Sequence, residues 1–466
     1  MEVKEGLEPA SPRAQYFNSS VLSVFIMGVM ETEVPITIND ARTMSLLKDV
    51  FLPINPRFSS IMVKDRKGEK QWKRIEVKLE EHVNIPIFPT DLSPTSYDEY
   101  LEEYISKIAM EQFSQNKPLW EIHIVKYPTS NAAGTIIFKL HNALGDGYSL
   151  MGALLSCLQR ADNPSLPLTF PSRQQSEIKS YRGSVYRRVS EHFSLIFNSL
   201  SDFGWSMLKS TLIEDDRSPI RSGDEGVECR PTMVASMIFS LDRIKHIKAK
   251  LGVTKNDVIT GIIFLGTRLC MQEISYKSSE SQSTALVLLN TRMMTGYKSI
   301  EEMLKPNSKG PWGNRSTFLH VPMPKFKDHR SSNPLEFVWT ASKIIKKKKS
   351  SLGFYLTGRL LEIVKKLRGP EAAARFMHRT MRNSSMMISH VIGPEEKVAL
   401  DNHPIKSLYF LGGGLPQNLL ITIVSYMGNL RVSAIIEKGF LDAQKFKSCM
   451  ENAFEIILKA ADEIPI

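Results

Sequence analysis

A strand that ends in a cluster of polar residues and is followed at once by an apolar helix restricts the folds open to this chain more than any other feature. The run TIIFKL at 135–140 has the length and composition of a buried strand. HNALGDG at 141–147 follows it, and YSLMGALLSCL then begins a helix. Gly145 and Gly147 permit a sharp turn between the two elements. This order is typical of a layered α/β protein whose polar turn residues face a cleft between domains.

Alternation along this strand separates the two polar residues at its end. Successive side chains of a strand point to opposite faces, so Asn142 shares a face with Leu140, and His141 shares one with Lys139. The sequence therefore predicts that His141 and Asn142 point apart. Asp146 precedes the helix and is placed to cap it. A purely structural turn capped by Asp146 is the alternative interpretation of the same residues.

A proline-rich segment at 163–182, which also contains many Ser and Gln residues, divides the chain unequally. Strands and helices are mixed on both sides of it, which predicts two layered α/β domains, each a mixed sheet covered by helices. We place an N-terminal domain at 1–162, a linker with an amphipathic helix at 163–232, and a C-terminal domain at 233–466. The linker would act as the crossover between the two domains.

Capping signals predict where several helices begin. The pattern Ser96-x-x-Glu99 is that of a capping box, Asp242 is placed to cap a helix ending at Gly252, and Thr254-x-x-Asp257 marks another start. Further strands are predicted at 285–290, 316–323, 385–391, 405–411, 419–427 and 430–436, and further helices near 334–349, 352–367, 370–382 and 442–462.

The net charge and the spacing of the cysteines limit the kinds of partner and metal site that this protein can have. Lys and Arg number 60 against 49 Asp and Glu, and the net charge of +11 favours an anionic partner. Nucleic acid is not the expected partner, because no zinc-finger spacing or RNP-like strand accompanies the charge. The four cysteines, which lack the close pairing of zinc ligands, predict free thiols in a reducing compartment and no metal site. The charged start MEVKEGLEPASPR does not resemble a secretory signal.

Two stretches suggest a membrane surface as partner. Phe193 to Ile213 has the length of a spanning helix, but Asp202 and Lys209 make a single span costly, and its apolar residues recur at helical spacing on one face. An interfacial helix and an ordinary helix packed between domains both fit this pattern. The basic run SKIIKKKKS at 342–350 can meet phosphates of a ligand or of lipid, or form a solvated helix face.

With these motifs the chain resembles the plant wax ester synthase/diacylglycerol acyltransferases along nearly its whole length. HNALGDG matches the HHxxxDG pattern of that family except at its second position. Further motifs of the family are matched in the same order by PLW at 118–120, NDV at 256–258, GNR at 313–315, SHVIGP at 389–394 and LGGGLPQNLLITIVSY at 411–426. The resemblance implies two chloramphenicol acetyltransferase-like domains with a tunnel between them for acyl-CoA and an alcohol.

The resemblance also assigns roles to the residues of HNALGDG. In the family the second histidine is the general base that takes the proton of the acceptor hydroxyl, and this position is Asn142 here. An amide has no proton affinity near neutral pH, so we expect a rate loss of about 10² to 10⁴. His141, Asp146 and Gly147 carry over as motif residues, and the role implied for Asp146 is architectural, typically through an ion pair with an arginine.

A second departure from the family lies in Ser389-His390-Val391, where the family has Ser-Asn-Val. One hypothesis is that His390 supplies a substitute base from the opposite wall of the tunnel. The alternative, which we expect, is that it packs with a hydrogen-bonded partner. The resemblance implies substrate binding by Asn256, Asp257, Asn314, Arg315 and Ser389.

The predicted function is O-acyltransfer from acyl-CoA to a long-chain alcohol, which gives wax esters, with diacylglycerol as a second acceptor. Acyl-CoA is the substrate, and no separate cofactor is predicted. The resemblance implies attachment to the endoplasmic reticulum or cell membrane, with the catalytic domains on the cytosolic side. The alternative is a catalytically silent relative that binds acyl-CoA or lipid as a sensor or scaffold, which Asn142 supports.

Overall fold

The computed structural model describes residues 7–37, 40–66, 68–168, 199, 201–291, 312–326, 333–351 and 353–464. The helices are α1 Pro12–Phe17, α2 Asp40–Leu46, α3 Leu52–Ile54, α4 Pro94–Met110, α5 Gly147–Ser156, α6 201–211, α7 Leu241–Leu251, α8 Lys255–Ile274, α9 Leu335–Ser350, α10 Gly353–Arg368, α11 Pro370–Arg382 and α12 Ala443–Asp462. The strands are β1 Leu7–Pro9, β2 Phe25–Thr32, β3 Ser60–Lys64, β4 Lys70–Arg74, β5 Val83–Asn84, β6 Trp120–Val125, β7 Gly134–His141, β8 Gln159–Arg160, β9 Thr232–Ser240, β10 Thr284–Asn290, β11 Ser316–Pro322, β12 Met386–Ile392, β13 Val398–Leu400, β14 His403–Gly413, β15 Leu419–Tyr426 and β16 Asn429–Glu437.

The first sheet of the described residues has seven strands in the order β5-β6-β7-β2-β14-β13-β8. β7 lies between β6 and β2 and pairs antiparallel with both. All eight of its residues are buried, because both faces of the sheet are covered there. β13 and β14 come from the C-terminal part of the chain, so the first sheet is completed by strands that follow most of the second sheet in sequence. The boundaries 1–162, 163–232 and 233–466 stay a prediction.

The second sheet has six strands in the order β11-β10-β12-β15-β16-β9. β10, β12 and β15 are parallel neighbours, and the remaining pairs are antiparallel. α8 packs closely against α9 and α12 where it carries glycines. A Cβ on Gly261 would stand 2.8 Å from the Cα of Val338, and one on Gly266 would stand 3.0 Å from the Cα of Met450. A third, small sheet has the order β1-β4-β3.

A buried carboxylate fastens the crossover between the two large sheets. Asp215 follows α6 and pairs with Lys209. Its Oδ2 accepts hydrogen bonds from the backbone N–H of Thr284 at 2.6 Å and of Ser385 at 2.8 Å. These residues stand at the starts of β10 and β12, so one charged group holds the crossover against two adjacent strands of the second sheet.

The layered arrangement of two helix-covered mixed sheets confirms the predicted fold class, while two predicted helix starts are wrong. Ser93, not Ser96, caps α4, and its Oγ accepts from the N–H of Ser96. Ser240, not Asp242, caps α7. In both cases an earlier serine has the extended backbone that a cap requires. The capping box of Thr254 and Asp257 is confirmed.

The amphipathic stretch at 193–213 is only partly described, since residues 193–198 and 200 lie outside the described residues. Its later part forms α6. Among the helices that the structure describes, none combines the length and the hydropathy needed to cross a membrane.

Candidate active site

The motif loop joins β7 to α5 at the centre of the molecule. β7 ends at His141, and α5 begins at Gly147. Asp146 caps the helix as predicted, with its Oδ1 accepting the N–H of Ser149 at 3.1 Å. The helix dipole and the free N–H groups of the first turn favour a carboxylate at this place.

His141 and Asn142 point apart, as the alternation predicts. His141 is 1% exposed, and its Nδ1 accepts the N–H of Ala143 at 3.0 Å. The ring proton is therefore on Nε2, which donates to Ser23 Oγ at 3.2 Å. Burial lowers the pKa of His141 to about 3, and the charges of Lys70 and Lys139 add to this. His141 is thus a neutral residue that fixes the loop and does not face the cavity beside it.

Residues 312–316, which we call the clasp, reach from the second sheet to the motif loop. Trp312 Nε1 donates to the carbonyl of Leu144 at 2.8 Å. Asn314 Nδ2 donates to the carbonyl of Asn142 at 2.6 Å. The clasp therefore sets the position of the backbone that carries Asn142.

Asp146 is the charged partner of the clasp. Its Oδ2 accepts the backbone N–H of Arg315 at 2.8 Å and the hydroxyl of Ser316 at 2.9 Å. The contact with Arg315 is made by its backbone N–H, while its side chain is exposed, so the ion pair between Asp146 and an arginine stays a prediction. On the other side, Arg13 of α1 donates to the carbonyls of Asn314 and Ser316 at 3.1 and 2.6 Å.

A cavity lies between the two large sheets and contains the motif loop in its wall. Its lining comes from both sheets and from α1, α6, α10 and α11, and most of the lining side chains are apolar. The predicted site residues in the lining are Asn142, Asp146, Gly147, Asn314 and Ser389. A cavity wall of this mostly apolar character suits an apolar ligand.

Asn142 presents an amide to this cavity. Its backbone N–H donates to the carbonyl of Val24 at 2.8 Å, which fixes the main chain. Its Oδ1 is buried without a hydrogen-bond partner among the described residues. An unpartnered buried acceptor costs about 1–3 kcal/mol, so the position favours a ligand that donates a hydrogen bond.

The structure does not bring His390 to this cavity. Ser389 and Val391 line it, and strand alternation turns His390 to the other face of β12. There its Nδ1 donates to Asn256 Oδ1 at 2.8 Å, and burial, with a smaller effect of Lys255, lowers its pKa to about 4. The predicted substitute-base role therefore has no geometric support, while hydrogen-bonded packing does.

Asp257 also lies away from the cavity wall. It caps α8 together with Thr254, and its Oδ2 accepts the hydroxyl of Ser342 on α9 at 3.0 Å. These contacts give Asp257 a structural task at the α8–α9 interface. Asn256 and Asp257 thus belong to one region, and Asn314, Arg315 and Ser389 to another.

Sequence reasoning missed several polar residues of the cavity wall, among them Arg13 and His320. Arg13 follows a serine cap and a proline at the start of α1, but no pattern in the sequence connects it with the clasp. His320 lies in the predicted strand at 316–323, and its alternation with Ser316 was the available signal. The face of that strand that borders a cavity is known only once its neighbours are known.

Comparison with known proteins places these features in a family context. The sequence profile of the wax ester synthase/diacylglycerol acyltransferase catalytic domain matches residues 56–259, and that of the WS/DGAT C-terminal domain matches residues 312–458. Wax ester synthase/diacylglycerol acyltransferase 11 of Arabidopsis thaliana is 29% identical over 98% of this chain and 96% of its own length. Wax ester synthase/diacylglycerol acyltransferase 9 of the same plant is 30% identical over 97% of this chain and 95% of its own length.

Solved structures confirm the predicted acyltransferase-like fold. The wax ester synthase/diacylglycerol acyltransferase from Marinobacter aquaeolei superposes with a TM-score of 0.59 at 14% identity, over 97% of this chain and 100% of that chain. A variant of the starter condensation domain of rhizomide synthetase was solved in complex with C8-CoA. It superposes with a TM-score of 0.56 at 10% identity, over 98% of this chain and 95% of that chain. Both likenesses concern the fold.

A substitution of Asp146 can weaken the hydrogen bonds between this residue and the clasp while part of its capping of α5 remains. In Asp146→Asn the side chain has one acceptor oxygen, which can serve the N–H of Ser149 or that of Arg315 but not both. We expect a loss of about 1–3 kcal/mol in the free energy of unfolding, measured by chemical denaturation.

Asp442→Asn is the matched control, because Asp442 caps α12 at an exposed position through the N–H of Lys445. Asn and Asp are equal as caps, so this change should cost less than about 0.5 kcal/mol. Equal losses in the two variants would contradict the role given to the clasp.

Proposed function

The chain belongs to the wax ester synthase/diacylglycerol acyltransferase family, and we propose that it is an acyl-CoA-dependent O-acyltransferase with a long-chain alcohol as acceptor and diacylglycerol as a second acceptor. The observation that carries this proposal is the position of Asn142. Its amide stands in the wall of an apolar cavity, where an acceptor hydroxyl and a thioester can meet. Family membership supports the acyl-transfer chemistry, and the identity of the acceptor is our inference.

The reaction that the site would support forms a carbon–oxygen and a sulfur–hydrogen bond and breaks a carbon–sulfur and an oxygen–hydrogen bond. The acceptor oxygen bonds to the thioester carbonyl carbon, the carbon–sulfur bond breaks, and the hydroxyl proton ends on the thiolate of CoA. Asn142 Oδ1 would accept the hydrogen bond of the acceptor hydroxyl and orient its lone pair toward the carbonyl carbon. Orientation of this kind accelerates a reaction even where no side chain takes the proton.

The ionisable groups around the motif loop do not replace a general base. Burial keeps His141 neutral, but its two nitrogens are engaged by Ala143 and Ser23. Asp146 accepts hydrogen bonds from both domains and is held in place by them. We therefore propose slow transfer that depends on positioning, with the proton leaving through the thiolate or water.

A second candidate function is binding without turnover. The amide of Asn142 favours it, because general-base catalysis contributes about 10² to 10⁴ in rate and an amide cannot supply it. In this case the protein would hold acyl-CoA or lipid as a sensor or scaffold. Measured turnover above the uncatalysed rate separates the two candidates.

We also propose that the protein attaches to a membrane surface of the endoplasmic reticulum or cell membrane. At the end of α10, Ile363 and Leu367 are 53% and 77% exposed, and the neighbouring Lys366 and Arg368 are exposed as well. Exposed apolar side chains beside cations are typical of a helix at an anionic lipid interface. Apolar substrates would enter from such a surface.

The first test of the proposed function is Asn142→His. We expect turnover with acyl-CoA and a long-chain alcohol to rise at least about tenfold, because the imidazole restores a base with a pKa near 6.5. The turnover of the variant should also fall as the pH drops through that pKa, since only the neutral ring takes a proton.

The unchanged protein supplies the contrast. The pKa values of His141 and His390 are lowered to about 3 and about 4, so neither ring changes charge over roughly pH 6 to 8, and its turnover should be flat there. Equal turnover of the two proteins at saturating substrate would show that position 142 is not limiting.

The second test is His390→Ala. Because His390 bonds to Asn256 on the far face of β12, we expect turnover to stay within about threefold in folded protein. The result should be the same with Asn or His at position 142, which a double-mutant cycle measures. A hundredfold loss confined to the Asn142 background would establish His390 as the base.

The third test concerns the membrane. We expect the protein to sediment with membranes and to be released by high salt, as an interfacial helix would be. The double substitution of Ile363 and Leu367 by Asn should shift it to the supernatant, whereas Ile87→Asn, at a residue 91% exposed elsewhere, should not. Retention after a carbonate wash would instead indicate a span, and full recovery in the supernatant without salt would contradict attachment.

A further inference from the structure

A polar cluster interrupts the apolar lining of the cavity between the two large sheets. His320 of β11 is 5% exposed, and Ser210 of α6 is 1% exposed. Ser206, one turn before Ser210, has its Oγ 3.5 Å from His320 Nδ1. His320 Nε2 and Ser210 Oγ are both buried without a hydrogen-bond partner among the described residues. Two such atoms in one wall cost about 1–3 kcal/mol each unless a ligand or water satisfies them.

The cluster lies away from the motif loop. Ser316 bonds to Asp146, and alternation places Ser316 and His320 on the same face of β11. A strand rises about 3.3 Å per residue, so the four residue steps from Ser316 to His320 correspond to about 13 Å. His320 therefore lies too far along β11 from the contact between Ser316 and Asp146 to exchange a proton with groups at the motif loop. The cluster therefore meets a part of the ligand remote from the reacting atoms.

His320 also lines a second, polar pocket that adjoins the cavity between the two large sheets. Asp202 and Lys348 line that pocket and form an ion pair at 3.2 Å. Burial lowers the pKa of His320 to about 3, and the charges of Lys348 and Lys209 add to this. A neutral imidazole has one nitrogen that donates and one that accepts. Together with serine hydroxyls it suits a neutral group that also donates and accepts, which is a hydroxyl.

We propose that Ser206, Ser210 and His320 form a subsite for a hydroxyl group that the long-chain acceptor carries at a position remote from its reacting oxygen. The acceptors that fit are long-chain diols and alcohols hydroxylated along the chain, in preference to plain alkanols of the same length. This inference rests on the proposed function only in that both need the cavity to bind a long-chain alcohol.

Binding, measured without turnover, tests the subsite. The full chain is loaded with cis-parinaric acid, a fluorescent fatty acid, and the probe is displaced by n-alkanols and by α,ω-diols from hexane to hexadecane. We expect the preference for a diol over the matched alkanol to peak at an intermediate length and to be absent for the shortest pair. His320→Leu should lower that preference about tenfold, the effect of one hydrogen bond.

Further variants separate a polar subsite from a general effect on folding. Ser210→Ala should lower the diol preference about threefold, and His320→Gln should keep part of it because the amide still hydrogen-bonds. His246→Leu, the same type of change at an exposed histidine paired with Asp462, should leave the preference unchanged. Alkanol binding should remain in every variant.

Each other outcome overturns the proposal. A diol preference that His320→Leu leaves unchanged would show that the cluster holds only water, while the proposed function would stand. The subsite is likewise contradicted, and the proposed function kept, if alkanols displace the probe and diols show no preference at any length. If neither class displaces the probe from the unchanged protein, both the subsite and the proposed long-chain acceptor are contradicted.

Discussion

The carboxylate of Asp146 is the group on which the arrangement of the site depends. It is 3% exposed and accepts hydrogen bonds from Ser149 in its own domain and from Arg315 and Ser316 in the other. A carboxylate has lone pairs for all of these donors, and charge-assisted bonds of this kind are stronger than neutral ones. Because the donors belong to α5, which follows β7 of the first sheet, and to the clasp, which leads into β11 of the second sheet, the carboxylate sets the distance between these parts at the motif loop. The cavity next to Asn142 has a defined wall for this reason.

The two large sheets are also held together by β13 and β14, which come from the C-terminal part of the chain but lie in the first sheet. β14 pairs with β2 from Ile405 to Gly413, although β12 and β15, which flank β13 and β14 in sequence, belong to the second sheet. Arg431 of β16 adds a contact across the sheets, with its guanidinium 3.7 Å from the ring centroid of Tyr409 and paired with Glu31 at 3.0 Å. The two sheets therefore cannot separate without breaking backbone pairing, and ligands must enter a cavity whose walls are tied at both sides.

The sequence predicted most elements of this structure and little of their assembly. Strand alternation and capping are local, so β7, the turn at 141–147 and the cap of Asp146 were predictable, as was the opposite direction of His141 and Asn142. Ser93 and Ser240 were missed as caps because several nearby residues can act as caps and only backbone conformation chooses among them. The place of β14 in the first sheet depends on pairing with β2 across most of the chain, which no local pattern shows. His320 was missed for a related reason, since its face of β11 borders a cavity only after α6 and α10 have packed against it.

Asn in place of His separates two tasks that a histidine combines. A histidine both orients the acceptor hydroxyl and takes its proton, whereas an amide can only orient it. The carbonyl of Val24 and the side-chain amide of Asn314 both bond to the backbone of residue 142. These contacts therefore do not depend on which side chain residue 142 carries. The site thus keeps the framework that positions a substrate while its side chain cannot act as a base. In such a site, discrimination between ligands must come from the cavity wall. There, polar atoms of Ser210 and His320 that have no partner among the described residues favour a ligand that can hydrogen-bond to them.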